Sequence, residues 1–573
     1  MNADDVSTVL NEIAVRLQLQ GENPFRVRAY ENAARAIKGI TEDVTTLVKD
    51  ERLGEIRGVG KGLAETITEY VTTGSVEQLV ELRQDVPDGL VEMTKIPGLG
   101  TKRVRQIWQE LEITTIGELE YACKENRLAG MDGFGEKLQQ KVLKGIEYHR
   151  SHQERHLVSD AWNAADELLT FVRGLDGVRS ADVAGSIRRG RETVGDLDVL
   201  AVVSEEHRAE VMDEFCGRTD EQDVVAHGST KSTIRLPNGI SADLRLVEDN
   251  EFPAALVYFT GSKEHNTTLR GRAQRMGFKL NEYGLFRTDD DERIDTPDEA
   301  AIYEKLGLCL IPPELREDSG EFDAAEDNQL PDLITAEDIR GVIHVHTVAS
   351  DGSNELADLV AAARDRGMHY LGICDHSRSA AYAGGLSVEE LHEQWDAIDK
   401  INGKLDDFVV LKGIETDILA DGSIDYDDET LEGFDFVIAS IHSGLSMSES
   451  QATKRLIAAM QHPAVSMLGH PTGRLLLARE GYPVDMRAVI DAAADLGVSI
   501  ELNASPHRLD IDWSWCRYAK QKGVMISINP DAHAIRGFDD IRYGIASARK
   551  GWLEADDILN TRTPEDFLDA VSR

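Results

Sequence analysis

Cysteine is scarce in this 573-residue chain: Cys123, Cys216, Cys309, Cys374 and Cys516 are scattered, odd in number and never spaced as Cys-x-x-Cys. That excludes a disulfide framework and a zinc ribbon, and the expectation is reduced, mostly buried thiols. Long apolar runs are missing, as is an N-terminal charged-apolar-small pattern, so neither a bilayer span nor a secretory leader is expected, and the cytoplasm is the expected compartment. Positive charge is short as well: 62 Lys and Arg face 104 Asp and Glu, a formal net charge of −42. A chain that grips polyanions normally carries a basic surface. The deficit leaves two readings: a protein that avoids nucleic acid, or a halophile-like surface whose carboxylates stay hydrated in salt that screens their repulsion.

What is present is length enough for several domains, with 41% hydrophobic residues to build their cores. Residues 1–150 read as short amphipathic helices punctuated by three Gly-x-Gly turns, Gly58-Val59-Gly60, Gly98-Leu99-Gly100 and Gly133-Phe134-Gly135, preceded by Ile56-Arg57, Ile96-Pro97 and Met131-Asp132. Each unit is similar to a helix-hairpin-helix motif. Its glycines permit positive φ and let phosphate oxygens approach backbone N–H groups at a helix start, which binds DNA without a lysine. A single copy could be an ordinary helix joint, but three favour the motif. From about 156 the pattern turns to mixed helix and strand, with strands near 181–185, 197–203, 233–236 and 241–247. Pro312-Pro313-Glu314 then leads through an acidic, Ala-containing stretch to Pro331-Asp332, with the polarity of a linker. Beyond 339, strands near 342–346, 369–374, 408–414, 435–441, 465–469, 498–502 and 524–529 alternate with amphipathic helices. That pattern fits a parallel α/β barrel or an open doubly wound sheet.

Two constellations carry chemistry. In the first, Gly185-Ser186-Ile187-Arg188-Arg189-Gly190 precedes Gly195-Asp196-Leu197-Asp198, and Asp243 lies in a later strand. Residues two apart share a strand face, so Asp196 and Asp198 project together, and Asp243 from a neighbouring strand completes a carboxylate cluster suited to two Mg²⁺ ions. Ser186 and Arg189 could hold a triphosphate through a hydroxyl and a charge-assisted pair. Asp-x-Asp by itself is common on solvated strand ends; the ordered set is much more specific.

These residues resemble the nucleotidyltransferase signature of family X DNA polymerases, and the resemblance covers roughly residues 1–315. It implies that Tyr258-Phe259-Thr260-Gly261-Ser262 flanks the incoming nucleotide, with the Tyr258 and Phe259 rings on its sugar and base. It also implies that Asn266 and Arg270 contact nucleotide and template strand, and that 277–285 belongs to a thumb. Two departures stand out. The position of the Schiff-base lysine in lyase-active relatives is Thr66, whose hydroxyl cannot form an imine, with Lys61 nearby. Two residues before Asp243, where vertebrate repair enzymes place an arginine, stands Ser241.

The second constellation is His344-Val345-His346, Ser350-Asp351-Gly352, Asp375-His376, Glu415, His442, His470 and Asp531-Ala532-His533, nearly all at expected strand ends. In barrel-like folds such positions converge at the C-terminal face. Imidazoles mixed with carboxylates suit Zn²⁺, Mn²⁺ or Fe rather than Ca²⁺, and the set exceeds what one ion needs. One histidine of the set would more often be a structural residue; the joint pattern points to a site. The order resembles the polymerase and histidinol phosphatase (PHP) domain. That resemblance implies a distorted seven-stranded barrel holding two or three ions on His344, His346, Asp351, His376, Glu415, His442, His470, Asp531 and His533. Arg474 and Arg508 could bind substrate phosphate or be solvated.

The expected architecture is therefore multidomain. A helical DNA-binding domain (1–88) and a helical fingers-like domain (89–155), together an all-α helix-hairpin-helix region, precede an α/β nucleotidyltransferase palm (156–247), a thumb (248–315), an acidic linker (316–338) and a C-terminal distorted (βα)7 barrel (339–573). The resemblances imply a bacterial or archaeal DNA-directed DNA polymerase that fills short gaps in repair, with a metal-dependent 3′–5′ exonuclease or 3′-end-processing phosphoesterase. The expected partners are gapped or primer-template DNA and deoxynucleoside triphosphates, bound by a monomer. A DNA-end-binding scaffold with relic sites, or a small-molecule phosphatase tethered to the polymerase, are the alternatives.

Overall fold

The computed structural model describes residues 3–572 except 39, 41, 42, 125–127, 129, 130, 132, 153, 154, 381, 382, 478 and 479. It resolves into two compact units, Met1–Glu154 and Arg155–Arg573. Among the described residues no helix is long and apolar enough to cross a membrane.

In the first unit the three glycine turns are built alike. Val59 N–H donates to Ile56 O at 3.0 Å, Leu99 to Ile96 at 2.9 Å and Phe134 to Met131 at 3.2 Å. The first glycine of each turn has φ of +94°, +97° or +79°, the left-handed region that only glycine enters freely. The middle residues Val59, Leu99 and Phe134 are buried and staple the turn to the core. Asp132, beside the third turn, lies outside the described residues. The two helical domains expected at 1–88 and 89–155 form one unit because they share a helix. Ala3–Gln20 gives Val6, Leu10, Ile13 and Leu17 to one apolar cluster and Leu19 to the next. Its buried Arg16 fastens the joint, bonding the Val86 carbonyl and Asp88.

The second unit begins with the palm, a five-stranded sheet. Strand Asp196–Val203 lies between Val178–Val183, antiparallel, and Ser241–Val247, parallel, followed by Lys231–Arg235 and Val224–His227. Strand Val224–His227 was not foreseen; it is four residues long and three of them are exposed. A three-stranded antiparallel sheet, Phe278–Asn281, Gly284–Arg287 and Arg293–Ile294, forms the thumb.

Residues 316–338 differ from the expected linker. Arg316 and Glu321 are fully buried; Glu321 accepts from His265 Nδ1 at 2.8 Å, and Phe322 stacks on the same imidazole at 4.6 Å. Phe322, Ala325 and Leu333 join thumb residues and the barrel's Trp552 in a single cluster. Acidic composition misled because, although most carboxylates of the stretch face water, Glu317 and Glu321 turn inward to bind Arg189, Lys550 and His265.

Seven strands follow, Gly341–Val345, Tyr370–Ile373, Val409–Asp417, Phe436–Ser440, Met467–Leu468, Ser499–Asn503 and Ile526–Asn529, all parallel and each paired with the next. They are buried along nearly their whole length, as parallel strands under a layer of helices must be. The first and last strands approach through a Val345–Ala532 bridge, with His346 N–H donating to Ala532 O at 2.9 Å and Ala532 N–H to His344 O at 3.1 Å. This decides for a nearly closed barrel over an open sheet.

Phe322→Ala is expected to destabilise the second unit by about 3 kcal/mol, the usual loss for a buried aromatic. Urea unfolding measures it, and an unchanged midpoint would restore the loose-linker reading.

Candidate functional site

Parallel pairing of Asp196–Val203 with Ser241–Val247 sets Asp198 directly opposite Asp243, and Asp196 opposite Ser241. Leu197 is buried on the opposite face, so the two acids of Asp196-Leu197-Asp198 face the same way. Burial first, and the charges of Asp196 and Asp243 next, push the Asp198 carboxyl up to about 6. Like-charged carboxylates of this kind cry out for a cation. Asp243 already has one: Lys231 Nζ is 2.6 Å away, Thr233 Oγ1 donates at 2.5 Å, and Arg245 Nη2 is 3.8 Å off. Lys231, Thr233 and Arg245 were missed by sequence reading; strand pairing supplies them, and they surround Asp243 where Ser241 offers no cation.

The glycine turn stands beside these acids. Gly185 opens the short helix Gly185–Arg188 at φ +69°, and a Cβ there would meet Asp198 Oδ2 at 2.6 Å, so only glycine fits. Ser186 is in that helix, and Gly195 directly precedes strand Asp196–Val203. Arg189 Nη1 donates to the carbonyl of Thr260, and Arg188 Nη1 to its hydroxyl at 2.8 Å. These bonds join the turn to helix Phe252–Thr260, which carries Tyr258 and Phe259. The Phe259 face is covered by the Arg245 guanidinium at 4.2 Å. Gly261 follows that helix, and Asn266 Nδ2 donates back to Tyr258 O at 2.6 Å. Arg270, one turn further along helix Lys263–Arg275, is exposed. The expected palm residues are thus gathered around one place, with Arg189 partly committed to Glu317 at 3.0 Å.

In the barrel every expected donor sits at or just past a strand end, and the atoms converge. Three groups have donor atoms mutually within 4.8 Å: His346, Asp351, His376 and His533; His344, His346 and Asp531; His376, Glu415 and His442. His470 joins through Nε2, 2.9 Å from Glu415 Oε1. The palm acids form no such group among the described residues. His344 Nε2 and both ring nitrogens of His346 are buried without a hydrogen-bond partner; the nearest groups are the carboxylates of Glu415, Asp351 and Asp531 at 3.3 to 3.8 Å. Buried donors left this way normally bind something. Burial lowers the affinity of His376 and His442 for protons, yet Glu415 and its neighbours raise them to about 10 and 9. The pocket therefore draws in positive charge, and imidazole with carboxylate suits divalent ions. His344, His470 and Asp531 all have positive φ, strain of the sort that functional sites hold.

Carboxylates behind the donors orient them. Glu501 accepts from His344 Nδ1 at 2.5 Å and from His470 N–H at 3.3 Å, and Asp417 accepts from His442 Nδ1 at 2.7 Å. Such partners fix which ring nitrogen faces a metal. Their sequence signal was an acid inside an apolar strand, legible at Glu501 and overlooked. Asp375 is no donor: it binds Thr347 N–H and Oγ1, both at 2.8 Å, and Gln394 at 2.6 Å, anchoring the loop after His346. Arg508 Nε lies 3.5 Å from Asp531. Arg474 points elsewhere, bonding the palm's Glu192 and, at 2.9 Å, Asp512. Burial pushes Glu192 up to about 7 despite that arginine.

Known families match along the chain. Residues 1–76 match a helix-hairpin-helix domain, 50–112 and 90–147 a SAM-like helix-hairpin-helix tandem, 255–317 the DNA polymerase beta thumb, and 343–505 the PHP domain. The last match stops short of Asp531 and His533, which the fold brings into the same pocket. The chain is 37% identical over 568 residues to the "DNA polymerase/3'-5' exonuclease PolX" of Bacillus subtilis, covering 99% of this chain and 98% of that one. The chain is also similar to a "Probable phosphatase" of Caldicellulosiruptor saccharolyticus, 31% identical over 33% of this chain and 78% of the relative. It is also similar to "Probable phosphatase YcdX" of Escherichia coli, 32% identical over 28% and 63%.

Glu501→Gln is expected to weaken Mn²⁺ binding about 10- to 100-fold, the usual effect of losing a carboxylate behind a histidine ligand. Calorimetric titration of the full chain reads it, and unchanged affinity would mean that Glu501 does not support His344.

Proposed function

The chain belongs to the PolX family of DNA polymerase/3'-5' exonucleases, and from that premise we propose that its palm fills short gaps during DNA repair while its barrel trims the 3′ end the palm is to extend. What carries the reading is that both donor sets are complete within one compact unit: Asp196, Asp198 and Asp243 in the palm, nine histidines and carboxylates in the barrel.

Divalent ions, Mg²⁺ in the palm and two or three Mn²⁺, Zn²⁺ or Fe ions in the barrel, supply the charge neutralisation that phosphoryl displacement needs. The protein's own residues do the rest. Asp196, Asp198 and Asp243 hold the palm ions. Ser186 and Arg189 take the triphosphate of the incoming nucleotide, with Gly185 and Gly195 letting the backbone come close. Tyr258, Phe259 and Gly261 line its sugar and base, and Asn266 and Arg270 contact nucleotide and template. In the barrel His344, His346, Asp351, His376, Glu415, His442, His470, Asp531 and His533 hold the ions, and Arg508 steadies the scissile phosphate. Asp351 and His533 are 33% and 41% exposed, and they mark the side from which a 3′ end enters.

The glycine hairpins grip DNA without a basic surface. A Cβ at Gly60, Gly100 or Gly135 would meet nothing within 4 Å, so the chain's own packing does not require glycine there; close approach by a phosphate does. Gly58, Gly98 and Gly133 shape the turns. This is how a chain of net charge −42 binds a polyanion, as a monomer in the cytoplasm with gapped or primer-template DNA and deoxynucleoside triphosphates as partners. The phosphatase-like relatives support a second reading of the barrel as a small-molecule phosphatase. Competition between a labelled 3′ end and a simple phosphate ester separates the two.

Asp198→Ala is expected to abolish primer extension and leave 3′ trimming, and His346→Ala to do the reverse, in a primer-template assay at low and high salt. Loss of both activities in either variant would sink the two-site reading. Thr66 Oγ1 donates to Gly62 O at 3.0 Å and offers no amine. Borohydride trapping on incised abasic DNA is therefore expected to give no adduct; an adduct lost in Lys61→Ala would instead assign lyase chemistry to Lys61.

A further inference from the structure

The palm's glycine turn is held from the barrel. Arg189 donates from Nε to Glu317 Oε1 at 3.0 Å and from Nη1 to the Thr260 carbonyl. Glu317 is held in turn by Lys550, the last residue of the barrel helix Ile541–Lys550, whose ammonium also donates to the Arg189 carbonyl at 3.3 Å. Arg191 Nη1 lies 3.7 Å from the second oxygen of Glu317. The Lys550 side chain is fully enclosed, its Nζ 4.7 Å from the Trp513 ring centre. Gly190, at φ +63°, lets the turn press on the same helix: a Cβ there would meet the Ala546 carbonyl at 3.3 Å and its methyl at 3.4 Å. None of these residues belongs to the barrel's donor groups.

An enclosed ammonium is costly unless its partners are fixed, and a carboxylate shared by three cations is fixed by all of them. We propose that Lys550 is a positioning residue for nucleotide addition: it holds Glu317, Glu317 aims Arg189, and the barrel thereby sets the palm's affinity for the triphosphate of the incoming nucleotide. The inference rests on the reading of Arg189 as a triphosphate ligand. Nε and Nη1 fix the plane of the guanidinium, and Nη2, which makes no hydrogen bond among the described residues, is left for a phosphate oxygen. Three cations around one carboxylate also leave the cluster net positive, as a polyphosphate requires.

The test measures KM and kcat for each deoxynucleoside triphosphate on one-nucleotide-gapped DNA with Mg²⁺, using the full chain. Lys550→Met is expected to raise KM about tenfold, the worth of one charge-assisted contact, with kcat changed less than about twofold by the same reasoning. Lys550→Arg restores KM. Glu317→Gln, which removes no buried lysine, raises KM similarly, and the double variant is no worse than the weaker single, because both act through one relay. The 3′–5′ exonuclease activity of each preparation stays at the wild-type level and shows the barrel intact. If Arg189→Ala raises KM while Lys550→Met and Glu317→Gln leave it unchanged, or if the two effects simply add, the proposal is overturned and the reading of Arg189 stands. If Arg189→Ala leaves KM unchanged while Asp198→Ala still abolishes extension, it is the reading of Arg189 that fails.

Discussion

Glu415, with 1% of its side chain exposed, places a negative charge in the middle of the barrel, and the arrangement around it is a response to that charge. A carboxylate so far from water is tolerable only when positive partners surround it. Burial alone would raise its carboxyl, but His442, His344 and His376 hold it well below the ordinary range. Five imidazoles approach it, His470 at 2.9 Å, His376 at 3.0 Å, His442 at 3.1 Å, His344 at 3.3 Å and His346 at 3.8 Å. They arrive from four other strands, so the parallel register of the sheet has to bring all the strand ends level. The barrel's near closure through Val345 and Ala532 serves the same end, carrying Asp531 and His533 back to His344 and His346.

The palm meets the same problem with fewer groups. Asp198 and Asp243 face each other across adjacent strands, and a lysine rather than an imidazole cluster relieves one of them. Here Asp196 is exposed, Asp198 half-buried and Asp243 buried. Most of the barrel's donors are buried, and Glu501 and Asp417 hold His344 and His442 from behind.

Much of both sites was legible because motifs encode local geometry. Asp-x-Asp specifies a shared strand face, and His-x-His and Asp-x-His mark strand ends, so ligand types and order could be read directly. Glycine turns were legible for the same reason, since positive φ is a property of one residue. What escaped was the partner of each group. Lys231 reaches Asp243 only through antiparallel pairing across Thr233, and Glu501 reaches His344 from 157 residues away. Composition misled at 316–338, where acidic residues usually mean solvent. Arg316, Glu317 and Glu321 there are interior polar pairs, because the side chains they bind come from the palm, thumb and barrel.

The sequence by itself determined the chemistry: two carboxylate-rich sites, three DNA-type hairpins, a parallel barrel or sheet, and no lyase amine at Thr66. Each of these depends on residue types at short spacing, which the backbone's two periodicities translate into position. Only the tertiary structure decided that the barrel closes, that Asp375 anchors a loop rather than binding, that the helical region is one unit strung on Ala3–Gln20, and that Lys550 and Arg474 reach from the barrel into the palm. Those are contacts between residues from 28 to 282 positions apart. They become visible only when burial forces each charge to find a partner.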